Sequence, residues 1–186
     1  MKKSVFFTGI LALALVCSSV LAGCGKKYAI GDTGPGGGII FYVSQAGFKS
    51  NGVTCHYLEA APADMSEELK WASGGFTETS IPAAQQTGIG AGAANTAAIL
   101  EVDPGAPAAK ACADYTSGDK SDWFLPSKDE LALMYDQRAT IGGFDSWYRS
   151  SSEANNRTAW NQGFSDGNQI IYGKNNGRRV RAVRAF

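Results

Sequence analysis

The stretch SDWFLPSKDEL, Ser121 to Leu131, carries the clearest local signal in the chain. Ser127 and Glu130 stand at the Ser-x-x-Glu spacing of a capping box, and Asp129 adds a second carboxylate where a helix N-terminus favours negative charge. Beyond them Leu131, Met134, Tyr135 and Arg138 recur at i, i+3, i+4 and i+7, with Leu133 beside them. This spacing predicts a helix over Lys128–Arg138 with one apolar face. Gly142-Gly143 ends the region.

Working outward, Ala93–Glu101 and Ala106–Tyr115 are alanine-rich and helix-prone. Asp103-Pro104-Gly105 breaks the chain between them. After Gly143 the pattern changes to short extended segments: Trp147–Ser152, Ala159–Phe164 and Arg179–Ala185. Ser165-Asp166-Gly167-Asn168 supplies a turn by composition. Ile39–Val43 and His56–Pro62 read as two earlier strands, the second ending at its proline. Asp64–Gly92, rich in Gly, Ser, Thr and Ala, reads as surface loops around an anchoring indole, Trp71. The expected class is α+β.

Five cations and no carboxylate lie between Lys174 and Arg184. In the terminal strand Val180 and Ala182 alternate with Arg179 and Arg181, while Val183 falls on the other face. Either the strand bulges there or both its faces are covered. The arginines are expected to pair with carboxylates across the sheet, with Asp122, Asp129, Glu130 and Glu153 as the acids nearest by type. A nucleic-acid tail would need a marked basic excess. The chain has 17 Lys and Arg against 17 Asp and Glu, and removal of an N-terminal signal takes two of those lysines, leaving a charge of −2.

That signal is legible at residues 1–23. Lys2 and Lys3 precede an apolar run, Val5–Val16, that is too short for the roughly 20 residues a bilayer core requires. Leu21-Ala22-Gly23-Cys24 follows, which resembles a bacterial lipobox, with cleavage before Cys24 and acylation of its thiol and new amino group. Two or more chains, at about 0.8 kcal/mol per buried methylene, anchor a protein stably. The expected organisation is a signal peptide 1–23, a lipidated tether 24–29, and one folded domain 30–186. Gly25 lacks the aspartate that holds many enterobacterial lipoproteins at the inner membrane, which favours the outer membrane or cell surface.

Discounting Cys17 and Cys24 leaves Cys55 and Cys112. In an oxidising compartment they are expected to form a disulfide worth roughly 3–4 kcal/mol, two buried thiols being the alternative. There is no CxxC, and His56 is the single histidine, so no metal or cofactor is expected. Gly31–Gly38 (GDTGPGGG) invites a phosphate-loop reading. No Gly-Lys-Ser/Thr follows, and the next segment is a strand rather than a helix. The glycines are read as a tight entry into the first strand.

GDTGPGGGIIFYV, HYLEAAPAD, AAKACADY, SDWFLPSKDEL and RVRAVRAF, taken together and in this order, resemble the Lcl-type C-terminal domain of bacterial surface lipoproteins and collagen-like adhesins. The matches run from Ile30 to Phe186. The resemblance implies a C-type-lectin-like fold, with helices packed on small twisted antiparallel sheets and a ligand face near the C-terminus. It also implies a distant relation to formylglycine-generating enzymes, whose paired reactive cysteines have no counterpart here. The calcium motifs of sugar-binding lectins are absent too; Glu153-Ala154-Asn155 is a loose echo without its proline. A narrower resemblance joins Tyr148–Glu153, Asn155–Arg157, Ala159–Gln162, Phe164, Asn168-Gln169 and Lys174–Asn176 to the variable region of treponeme-type variable lipoproteins. There a diversity-generating retroelement mutates template adenines. Ile170–Gly173 and Asn175–Arg178 fit substituted asparagine codons, with Trp160, Lys174 and RVRAVRAF as scaffold. Both an actively diversified protein and a fixed member remain open.

Three functions follow as expectations. A binding module would use Tyr148, Arg149, Asn155, Asn156, Arg157, Asn168, Ile170, Ile171, Tyr172, Asn175, Asn176 and Arg178, a mixture of aromatic, aliphatic and adaptable polar groups typical of recognition surfaces. Its partner is expected to be a protein rather than a glycan, since the calcium motif is missing. A structural envelope protein without a dedicated ligand is the alternative. An enzyme is disfavoured by the single histidine and the lack of a nucleophile signature.

Overall fold

The computed structural model describes residues 26–186. The signal segment, Cys24 and Gly25 lie outside the described residues. The chain runs β1 (Ile39–Ser50), β2 (Val53–Ala60), β3 (Ser66–Leu69), two short 3-10 turns (Gly74–Phe76 and Pro82–Ala84), α1 (Ala91–Val102), α2 (Pro107–Ala113), α3 (Lys128–Asp136) and α4 (Arg138–Ile141). It ends with β4 (Trp147–Asn155), β5 (Thr158–Gly163), β6 (Gln169–Gly173), β7 (Arg178–Val180) and β8 (Val183–Ala185). The class is mixed α+β, as expected.

Two sheets share this chain. One has three strands in the order β1-β2-β8; the other has five in the order β3-β7-β4-β5-β6. The β1–β2 hairpin is longer than its apolar cores suggested, because Asn51-Gly52 closes it with both residues at positive φ, 47° and 80°. An Asn-Gly pair in that conformation matches the natural twist of two strands. α1 lies against β1, β4 and α2, and α3 lies against β4 and β5. Phe41, Leu58, Leu131, Met134, Tyr148 and Phe164 fill the largest core between helices and sheets.

The capping box at Ser127 forms as read. Glu130 N donates to Ser127 Oγ at 3.3 Å, and Ser127 N donates back to Glu130 Oε2 at 2.7 Å. Glu130 also accepts from Gly90 N at 2.8 Å, the residue that precedes α1. One buried carboxylate therefore ties the N-termini of two helices together. Desolvation pushes its pKa up to about 7, while the N–H donors of Ser127, Gly90 and Gly92 pull the other way.

The terminal strand of the sequence reading is divided. β7 pairs with β3 and, in parallel, with β4; β8 pairs with β2 in the other sheet. Arg181-Ala182 carries the chain between sheets, and every side chain from Val180 to Arg184 is buried. Both faces are covered, which explains why alternation fails at Val183. The arginines are paired, though not all with the acids nearest by type. Arg184 holds Asp122 at 2.6 and 3.0 Å and Glu59 at 3.3 Å. Arg181 Nε meets Asp64 at 2.5 Å, and Arg179 meets Asp145 at 2.7 Å. Glu130 pairs with no cation among the described residues, and Asp129 contacts Lys128 instead.

The glycine-rich loop does cradle an anion, but it is an internal one. Gly36 N and Gly38 N donate to Glu59 Oε1 at 2.9 and 2.7 Å, and Glu59 is fully buried. A Cβ on Gly38 would stand 2.1 Å from the carbonyl oxygen of Ala60, and one on Gly36 would stand 2.6 Å from the Trp123 ring. Close approach, not phosphate, requires glycine there.

Two strands lie where the sequence reading gave none: β3 inside Asp64–Gly92, and β6 between the Ser165–Asn168 turn and the terminal strand. Trp71 is the expected anchor: it is fully buried and its Nε1 donates to Ser150 O at 3.1 Å. Cys55 and Cys112 correct the disulfide expectation, since both are buried free thiols. Burial raises the pKa of each, Cys112 far more.

Candidate functional site

β4, β5 and β6 form an antiparallel meander on one side of the larger sheet. β6 is its edge, paired with β5 on one side only. The register places Trp160 opposite Ile171 and Ala159 opposite Tyr172, so alternate residues of β6 face opposite sides. On one side Ile171, 50% exposed, stands beside half-buried Trp160, with the Lys128 ammonium 5.1 Å from the indole. On the other side the Arg178 guanidinium lies 3.8 Å over the Tyr172 ring. Such a stack is worth about 0.5–1 kcal/mol at an exposed site and fixes a long side chain in one attitude.

Two turns adjoin at one end of this meander. Asn155 Oδ1 accepts from Arg157 N at 2.9 Å and from Thr158 N at 3.1 Å, closing the β4–β5 turn. Lys174 N donates to Arg157 O at 2.9 Å, which brings the β6–β7 turn with Asn175 and Asn176 alongside. Arg157 pairs with Glu78 at 3.1 Å across an exposed gap, and Asn156 Nδ2 donates to Glu78 O at 3.4 Å. Asn155, Asn156, Arg157 and Asn175 are exposed, and Asn176 lies beside them at the turn. Asn168 sits at the opposite end of β6, where its side chain donates to Asp166 at 2.6 Å.

Beneath these turns the support is buried and charged. The Lys174 ammonium is wholly buried, donates to the Glu153 carboxylate and to Thr79 O at 2.7 Å, and lies 4.3 Å from the Trp71 ring. Glu153 also accepts from Ile81 N at 2.9 Å and Gln85 Nε2 at 2.8 Å. Burial lowers the Lys174 pKa, and the Glu153 contact opposes that shift. This pair joins β4, the loop before α1 and the β6–β7 turn. Lys174 is thus a buried support, and it takes Glu153 away from the arginines.

Two expected contact residues are not on the surface. Tyr148 is fully buried between Phe144 and Phe164, and its hydroxyl donates to Asp64 at 2.8 Å. Arg149 is fully buried and braces the β6–β7 turn, donating to Gly173 O at 3.2 Å and Asn176 O at 2.5 Å. Burial, and then the Arg178 charge, hold it below the ordinary arginine pKa. β4 is a central strand of the larger sheet, and α1, α3 and the Pro82–Ala84 turn pack against it, so its side chains from Tyr148 to Glu153 are buried. Trp160, read as scaffold, instead shares the exposed face with Ile171. Lys128 and Glu78 also belong to this surface, and no local signal marks them: sequence-distant segments bring them there.

Among the described residues, no group of three His, Cys, Asp or Glu side chains could hold a metal ion, and no helix is long and apolar enough to cross a membrane. No protein-family profile matches the chain, and no curated protein matches it in sequence. The resemblance to Lcl-type domains therefore stands on the quoted motifs.

Proposed function

We propose that this protein is a lipid-anchored envelope protein whose C-type-lectin-like domain binds a protein partner through β6 and the two turns beside it. The observation that carries this reading is the division between support and surface. Arg149, Glu153 and Lys174 are buried and lock the backbone of the turns, while Asn155, Asn156, Arg157, Ile171 and Asn175 are exposed. Tyr, Trp and Arg are enriched at binding hot spots, and Tyr172, Trp160 and Arg178 supply them. Asn side chains add adaptable hydrogen bonding. An arrangement in which the turns are held from below tolerates change at their tips, which also suits the retroelement-diversified reading.

The test is capture of extracellular partners by the mature chain and by a variant with Ile171→Ala, Tyr172→Ala and Arg178→Ala. Loss of a partner by the variant, with its circular dichroism unchanged, supports the binding module. Equal capture by both, or capture by neither, favours a structural envelope protein. A near-copy of the coding 3′ end that differs at adenines, beside a reverse transcriptase gene, would establish diversification. Cys24→Ser should release the protein from membranes, and retention would overturn the anchor.

A further inference from the structure

Away from the recognition surface, a cavity of about 600 Å³ lies between the β1–β2 turn, α1 and the end of β8. That is the size of a small-molecule site. Val53, Ala97, Leu100, Trp123, Phe124 and Phe186 are among its walls. Asp122 is the single charged side chain on it, and Arg184 holds both of that carboxylate's oxygens. The Cys55 thiol on the same wall is buried. The one charged side chain on the walls is thus already paired, and most of the remaining lining is apolar, so the walls suit a long apolar body. Val53, at 63% the most exposed large apolar side chain among the described residues, stands at it and would gain cover from such a ligand.

Position indicates the source of that body. The Tyr28 ring packs edge-on against Phe186, with centroids 5.5 Å apart, and Phe186 is part of the wall. Cys24 lies outside the described residues but only four positions before Tyr28. Four residues reach at most about 14 Å. An acyl chain carried on Cys24 would therefore be tethered within that reach of Tyr28, which packs on the cavity wall. We propose that the cavity is an acyl-chain site and that its occupant is one of the chains on Cys24. This rests on the lipid-anchor reading above. Seating one chain leaves the rest to the bilayer and fixes the domain close against the membrane.

The probe is palmitic acid brominated along its chain, read by quenching of Trp123 fluorescence. It is added to the Cys24→Ser protein and to the lipidated protein in nanodiscs. The Cys24→Ser protein should quench saturably, and the lipidated protein should not, because its own chain fills the site. Ala97 is exposed on α1 while lining the cavity, so Ala97→Phe adds bulk without repacking the core. In the Cys24→Ser background it should weaken binding at least tenfold with unchanged circular dichroism, and Trp123→Phe should remove the quenching. No saturable quenching of the Cys24→Ser protein overturns the acyl site. Undiminished binding by Ala97→Phe overturns its location, and equal quenching of both proteins overturns the tethered source. If mass spectrometry finds no acyl group on the native chain, the anchor reading fails by itself, whatever the fatty acid does.

Discussion

Lys174→Met tests the support beneath the β4–β5 and β6–β7 turns. The ammonium it removes is the only cation contacting Glu153 among the described residues, and both side chains are inaccessible to solvent. Without it the carboxylate keeps Ile81 N at 2.9 Å, Gln85 Nε2 at 2.8 Å and Ser80 Oγ at 3.3 Å, all neutral donors. Breaking a buried pair by deleting one partner costs about 3–5 kcal/mol. The remaining donors place this case near the lower bound, about 3 kcal/mol. For a chain of this size that corresponds to a fall in Tm of about 6–12 °C. Urea unfolding of the single variant, of Glu153→Gln and of the double variant completes a cycle. The double variant should recover most of the loss, since the introduced amide oxygen would still accept from Ile81 N and no charge would be left buried. A loss under about 1 kcal/mol for Lys174→Met, or a double variant no better than the single, would refute the reasoning. Arg157→Ala, which breaks the exposed pair with Glu78, should cost less than about 1 kcal/mol.

Three further outcomes follow. The folded pKa of Glu130, about 7, lies above the ordinary 4.5. Its contribution is therefore full below pH 4.5 and is lost as pH rises through 7, by about 3 kcal/mol in total. Glu130→Gln should flatten that part of the urea midpoint-versus-pH curve, and an unchanged slope would contradict the assignment. Gly38→Ala forces a Cβ against the Ala60 carbonyl and should cost about 3 kcal/mol by urea unfolding; a neutral result would mean the loop moves freely. Cys55 and Cys112 should both react with a thiol reagent in denaturant without prior reduction, and slowly in the native state; no reaction in denaturant would indicate a bridge.

Local chemistry made several elements legible. The Ser127–Glu130 box, the breaker at Asp103–Gly105 and the period of Leu131, Met134 and Tyr135 are decided within one or two helical turns. β6 was less readable because Gln169–Gly173 is short and lies between polar turns. β3 was hidden because Ser66–Leu69 is polar; it exists by pairing with β7, not by its own propensity. At the candidate site the exposed asparagines of the turns were readable from turn composition. Tyr148 and Arg149 were misplaced because a residue type favoured at interfaces is equally at home in a core when its strand is central.

The sequence by itself determined the mixed class, the start of α3 at Lys128, the extended character of the terminal segment and the need for the arginines of RVRAVRAF to find acids. All of these depend on neighbours a few positions away or on charge balance. The tertiary structure alone decided that the terminal stretch divides between two sheets, that Glu59 fills the glycine loop, and that Lys174 rather than an arginine neutralises Glu153. Burial of a charge is tolerated only where a partner of opposite sign or several donors converge on it. In this chain the partners come from segments far apart in sequence, and only the folded chain brings them together.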